Sequence, residues 1–230
     1  METVHKHLLS EFEAGLNHFR EDVLTMSAIA ERNLVSARKG LFERSDEACN
    51  LVIAEDELVD QLEKQVDKDG VSLLTRFQPV ATDLRQVLSG MKVSGNLERI
   101  ADQAVNIARK GRKLNQRPPL SELALLQPMF DLAMALLADA LRGYGRSDLA
   151  LASSLKARDK EVDALNAEIS ARLMERMAHD PARIADYLNL MFISRHLERV
   201  GDHATNIAED AIFAAAAADI RHTQAGANKF

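Results

Sequence analysis

Apolar side chains recur every three or four residues along most of the chain, the spacing of helices that each bury one face. Leu8, Phe12, Leu16, Phe19, Val23, Met26, Ala30, Leu34 and Leu41 form the first such stripe, predicting a helix from about His7 to about Gly40. A second helix starts at Ser45, an N-cap residue followed by Asp46 and Glu47, acids suited to a first turn. Its apolar sector is Val52, Val59, Leu62 and Val66, and it either pauses near Gly70 or runs to Phe77. Pro79 opens a third helix that ends near Gly111. Residues 115–120, NQRPPL, read as a linker. The plan then repeats. A fourth helix lies between Ser121 and Gly143, with Pro128 kinking it or starting its main part. Ser147 caps a fifth, with sector Leu155, Val162, Leu165 and Ile169, and Pro181 opens a sixth.

Residues 97–108 read LERIADQAVNIA and residues 197–208 read LERVGDHATNIA, eight identities in twelve ungapped positions. The duplication reaches further. Arg44-Ser45-Asp46 matches Arg146-Ser147-Asp148, and Asp56 to Asp60 matches Asp159 to Asp163. Such self-similarity predicts a duplicated unit. The expectation is an all-α fold of six long helices, as two tandem three-helix bundles about a pseudo-twofold axis. The units are 1–114 and 121–222, joined by the linker 115–120, with 223–230 as a frayed tail.

The motif helices carry their acids in an unusual place. At about 100° per residue, with Leu97 at zero, Glu98 lies near Val105 and Met91, and Asp102 lies beside Leu84. Arg99, Lys92 and Lys110 hold the wet side instead. Glu198 and Asp202 repeat the placement beside Tyr187, Met191 and Ile184. The middle helices offer facing stripes: Asp56, Asp60, Glu63 and Asp67 in one unit, and Asp159, Asp163, Asn166 and Ser170 in the other. Carboxylates that border an apolar interior need a basic partner, a shared proton or a metal ion. An oxygen-rich, thiol-free donor set suits iron, manganese or magnesium, or zinc with histidine help. Asn106 and Asn206 add a carbonyl oxygen or a supporting hydrogen bond. From spacing alone, a salt-bridge network and a metal site stand side by side.

Composition removes several function classes. The formal charge is −6 and Trp is absent, so neither a basic footprint nor stacking platforms point to nucleic acid. Cys49, the single cysteine, reads as core packing and allows no intrachain disulfide. METVHKHLLSEFEAGL is charged too early for a secretory leader, and no run of about 18 apolar residues occurs. The expectation is a cytoplasmic protein without direct membrane insertion. No nucleotide-binding glycine loop or nucleophilic triad stands out. A di-iron oxygen-activating bundle would want Glu-x-x-His, whereas Glu98 and Glu198 are followed three later by Ala101 and Gly201. A metal-free helical scaffold is the remaining alternative. His203 faces away from Glu198 on the wheel, and His5 and His7 read as solvated.

With LER-x-x-D-x-x-x-NIA on the last helix of each unit and D-x-x-x-D on the middle one, the chain resembles the PhoU family of bacterial phosphate-signalling proteins. The resemblance spans about residues 5–223. It includes FQPVATDLRQVLSGMKVSGNLERIADQAVNIA, RHLERVGDHATNIAED and the closing Asp219-Ile-Arg-His222. It implies a non-enzymatic negative regulator of the phosphate regulon and of phosphate uptake. Such an adaptor would link the ATPase subunit of a phosphate ABC importer to a membrane sensor histidine kinase, and would often be a homodimer. It also implies multinuclear iron or zinc clusters. By position, these would sit on Glu98, Asp102, Asp56 and Asp60, and on Glu198, Asp202, Asp159 and Asp163. Two departures between the copies, Ala101 against Gly201 and Gln103 against His203, imply that the two sites are not equivalent.

Overall fold

The computed structural model describes residues 2–146 and 148–216, with side chains from residue 10 onward. The side chains of His5, His7 and Leu8, the expected cap Ser147, Asp219 to His222 and the tail lie outside the described residues. All regular elements among the described residues are helical. They are α1 (Glu2–Phe42), α2 (Asp46–Ala54), α3 (Asp56–Phe77), α4 (Ala81–Asn115), α5 (Gln127–Arg146), α6 (Leu149–His179) and α7 (Ile184–Ala216). Short 3₁₀ turns, Ser121–Leu126 and Pro181–Arg183, lead into α5 and α7.

The predicted second helix is broken by one residue, and at Glu55 rather than Gly70. Arg32 of α1 pairs with Glu55 at 2.8 Å at the interruption. Gly70 stays helical because it is a contact point: a Cβ there would lie 2.6 Å from Met91 Sδ. Ser45 caps α2 as expected, its Oγ accepting from Ala48 N at 3.2 Å. Asp148 caps α6, accepting from Leu151 N at 3.0 Å, so the cap falls one residue beyond Ser147. The third helix outruns its predicted end at Gly111 and reaches Asn115. Pro128 sits inside the first turn of α5, where a missing N–H costs nothing, so it starts that helix instead of kinking it.

The two motif helices form the centre. α4 packs on α7, with α1, α2 and α3 around α4 and with α5 and α6 around α7. Leu97, Ile100, Ala104, Ile107, Leu197, Val200, Ala204 and Ile207 are fully buried there. Asn96 meets His203 and Gln103 meets His196, so the helices cross antiparallel and the pairs are exchanged by the pseudo-twofold. The linker is tied down at both ends. Arg44 donates to the carbonyls of Asn115 and Arg117 at 2.5 and 2.6 Å, and Arg183 to those of Pro118 and Pro119 at 2.5 and 3.1 Å.

An 18-residue window within residues 121–146 reaches a mean hydropathy of 1.5, high enough by length and composition for a membrane span, which the absence of an 18-residue apolar run did not anticipate. Their apolar side chains have another use. Met129, Phe130, Ala133, Leu136, Leu137 and Ala140 are buried against the bundle, and Asp139 carries Arg142 and Arg158 on its two oxygens.

Candidate functional site

Because α3 lies along α4 and α6 along α7, each unit gathers its acids at the rim of one helix pair. In the first unit Glu98, Asp102, Asp56 and Asp60 are all half-buried. Burial, then the charge of Asp102, raises the Asp56 carboxyl above its usual range, with Arg109 opposing and Asp60 adding. Burial also raises Glu98; Arg99 opposes it, while Glu63, Asp102 and Asp60 add to it. The four predicted carboxylates and Glu63 therefore share one field. Two of them also have a basic neighbour. Arg109 Nη2 lies 3.5 Å from Asp56 Oδ2, and Arg99 Nε lies 3.3 Å from Glu98 Oε2. The second contact is an ion pair and not a hydrogen bond, because Glu98 Oε2 is buried without a hydrogen-bond partner.

The second unit repeats the acids with Glu209 in place of Arg109, and Arg199, the counterpart of Arg99, makes no ion pair with Glu198. Asp159 and Glu198 are half-buried, whereas Asp163 and Asp202 are exposed. Burial followed by Asp202, Asp163, Glu198 and Glu209 pushes the Asp159 carboxyl up to about 6. Its Oδ1 is buried and unbonded. Gly201 makes room for it, since a Cβ there would stand 2.9 Å from that oxygen. Asp202 is raised by burial and Asp163, against His203 and Arg199. Asn166 is turned to the structure instead, accepting from Ser194 Oγ at 2.5 Å.

Between the two acidic rims lies an open polar cleft of about 560 Å³. Asp102, Asp159 and Asp202 reach it, and so do Arg99, Arg199, Asn106 and Asn206. Both asparagines thus line the cleft at the seam. Asn206 Nδ2 donates weakly to Asn96 Oδ1 at 3.4 Å. His203 belongs to the seam too, its Nδ1–H donating to Asn96 Oδ1 at 3.0 Å. The matching bond of His196 Nδ1–H to Gln103 Oε1, 2.8 Å long, escaped the sequence reading altogether. Burial lowers both imidazoles, His196 to about 4, which keeps them neutral donors at neutral pH.

The tightest gathering of ligand-type atoms among the described residues is elsewhere. His18 and Asp22 of α1 and Asp69 of α3 bring theirs within 4.8 Å of one another. No three of the eight predicted carboxylates approach that closely. The i, i+4 spacing of His18 and Asp22 was visible in sequence; the third member comes from another helix and was not. Cys49 is fully buried, and burial pushes its thiol up to about 11, so it is an inert core side chain.

A family model described as "PhoU domain" matches this chain twice, over residues 23–111 and 126–211. A curated relative from Xylella fastidiosa (strain 9a5c), a phosphate-specific transport system accessory protein PhoU homolog, is 32% identical over 207 residues, covering 90% of this chain and 87% of its own. A protein of the same description from Caulobacter vibrioides (strain NA1000 / CB15N) is 34% identical, covering 89% of each chain. The crystal structure of PhoU from Pseudomonas aeruginosa superposes with a TM-score of 0.87 at 31% identity, over 90% of this chain and all of that one. The PhoU structure from Streptococcus pneumoniae, at 24% identity and a TM-score of 0.82, shares the fold.

Proposed function

This chain belongs to the PhoU family, and on that premise we propose that it is an accessory protein of a phosphate-specific transport system, acting as a negative regulator that carries metal clusters on its two acidic rims. The observation that carries the regulatory reading is the match to accessory proteins of that system along about nine-tenths of both chains. The proposal extends to an adaptor role. The chain would meet the ATPase subunit of the importer and a sensor histidine kinase from the cytoplasmic side, as a homodimer.

The donor set fits a divalent or trivalent cation. Two buried carboxylate oxygens, Glu98 Oε2 and Asp159 Oδ1, lack hydrogen bonds, and an oxygen ligand shell suits hard ions such as iron, or zinc with added nitrogen. Glu98, Asp102, Asp56 and Asp60 would hold one cluster, and Glu198, Asp202, Asp159 and Asp163 the other. The bound ions would supply positive charge that cancels carboxylate repulsion and ties the middle helix of each unit to its motif helix. The protein's own part is to hold the acids on adjacent turns and to keep one oxygen of each site away from water. Without Glu-x-x-His on α4 or α7, and with its acids at the rim, the chain is read as a binding protein and not an enzyme.

Deleting the gene and assaying alkaline phosphatase in high phosphate tests the regulatory role. Derepression that the wild-type gene restores is the expected result. Full repression in the deletion strain would remove the regulator reading. Elemental analysis of the purified protein beside Glu98→Ala/Asp102→Ala and Glu198→Ala/Asp202→Ala variants tests the metal separately.

A further inference from the structure

The pseudo-twofold allows the two acidic rims to be compared residue by residue, and they differ at their edges. We propose that they are unequal cation sites: the second-unit rim, on α6 and α7, binds a divalent cation first and about tenfold more tightly than the first-unit rim. This rests on the metal reading above and adds an order of filling.

Four carboxylates are common to both rims. In the first, two are already held by cations of the protein, Asp56 by Arg109 at 3.5 Å and Glu98 by Arg99 at 3.3 Å. The residue that stands where Arg109 stands is Glu209 in the second unit, so an attraction becomes a repulsion on Asp159. Among the described residues, Asp159, Asp163, Glu198 and Asp202 have no Lys, Arg or His nitrogen within 4.0 Å. The nearby ammonium, Lys156, lies 3.8 Å from Glu209 instead. Glu63 acts in the opposite sense, as a fifth acid on the first rim where the second has Asn166. Glu209 offsets it, leaving the two direct ion pairs as the difference.

At the second rim, Arg199 stands in the place of Arg99 and acts on Asp202 but forms no ion pair with the four acids. A cation entering the first rim must displace or outcompete two paired guanidinium groups. Both arginines are more than half exposed, so each pair is a weak competitor rather than a block. Two weak pairs together correspond to about a tenfold affinity ratio, or about 1.4 kcal/mol. Geometry adds to this. Asp159 Oδ1 is buried, unbonded and seated on Gly201, so it loses no partner on meeting an ion. The first unit has Ala101 at that place.

Calorimetric titration of Mn²⁺ into the apo full-length chain, with Mn²⁺ electron paramagnetic resonance counting free ion, tests the order. Wild type should show a tight and a weaker phase about tenfold apart. Glu198→Gln/Asp202→Asn should remove the tight phase, and Glu98→Gln/Asp102→Asn the weak one. Arg109→Glu should draw the weak phase toward the tight one. Gly201→Ala should weaken the tight phase several-fold while helical circular dichroism stays intact. Two phases of equal affinity, or loss of the tight phase through Glu98 and Asp102, overturns the proposal while leaving the metal reading in place. No Mn²⁺ uptake at either rim overturns both.

Discussion

Asp139 shows what a buried carboxylate looks like when the protein itself neutralises it. It is 8% exposed, and Arg142 and Arg158 sit on its two oxygens. Burial alone would raise the carboxyl; the hydrogen bonds and charges of the two arginines outweigh that and lower it below 3.8. A carboxyl depressed by folding adds stability above its unfolded value, and that stability is lost as pH falls through the folded value. Asp139→Asn should therefore lower the melting temperature at pH 7, by about 4–8 °C for a loss near 2 kcal/mol, discounting the exposed Arg142. The gap to wild type should close below about pH 4. A gap unchanged between pH 7 and pH 3 in a thermal scan would show that the arginines are not its source. Asp56 and Glu98 of the first rim and Asp159 and Asp202 of the second are the opposite case, since burial raises their carboxyls. The helical wheel, which depends on one helix alone, placed Glu98, Asp102 and Glu198 at the margin of the buried face, where they are half-buried, but it placed Asp202 there too, and Asp202 is exposed. That Arg109 reaches Asp56 while Glu209 stands opposite Asp159 needed the packing of α3 on α4 and α6 on α7, which periodicity does not encode. The same holds for the His196–Gln103 pair, whose members lie 93 positions apart.

Helix boundaries were legible where the chain carries explicit punctuation and were missed where contacts decide. Ser45, Pro128 and Pro181 mark real starts. Gly70 left two readings open, a pause because glycine lowers helix propensity or a run to Phe77, and the run to Phe77 is the one observed. It is the place where α3 comes close to Met91 of α4. The interruption at Glu55 has no glycine or proline to announce it. The end of α3 does carry a testable strain. Gln78 is the C-cap in the left-handed region, φ 48° and ψ 53°, and it precedes Pro79, which disfavours that region further. A glycine has no Cβ to strain there. Gln78→Gly should gain about 0.5–1 kcal/mol, the relief of about 1–2 kcal/mol less the extra freedom of the unfolded chain. That corresponds to about 1–4 °C in a thermal scan. Gln78→Val should move the melting point the other way. A fall with glycine would mean that the exposed Gln78 side chain makes a contribution its surroundings do not reveal.

The largest consequence of the duplication is the seam that joins the halves. Two units linked by NQRPPL could have been independent domains, but the hydrophobic core is one cluster running through both. At its middle, α4 and α7 exchange two symmetry-related polar pairs, Asn96 with His203 and Gln103 with His196. Gln103 is 5% exposed, so removing either partner leaves a buried polar group unmatched, at a cost of about 1–3 kcal/mol. Removing both should cost less than the sum of the singles. The cycle Gln103→Ala, His196→Ala and the double variant should therefore return a coupling of about 1 kcal/mol in urea unfolding at pH 7. A continuous core further requires that wild type unfold in one cooperative transition, with helical signal and near-ultraviolet signal of Tyr144 and Tyr187 coinciding. Two separated transitions, or a coupling indistinguishable from zero, would mean that the halves are tethered and not fused. Fusion bears on the proposed function: an ion that drew α6 onto α7 at the second rim would act on a helix packed against α4 of the first, because α7 and α4 share the seam.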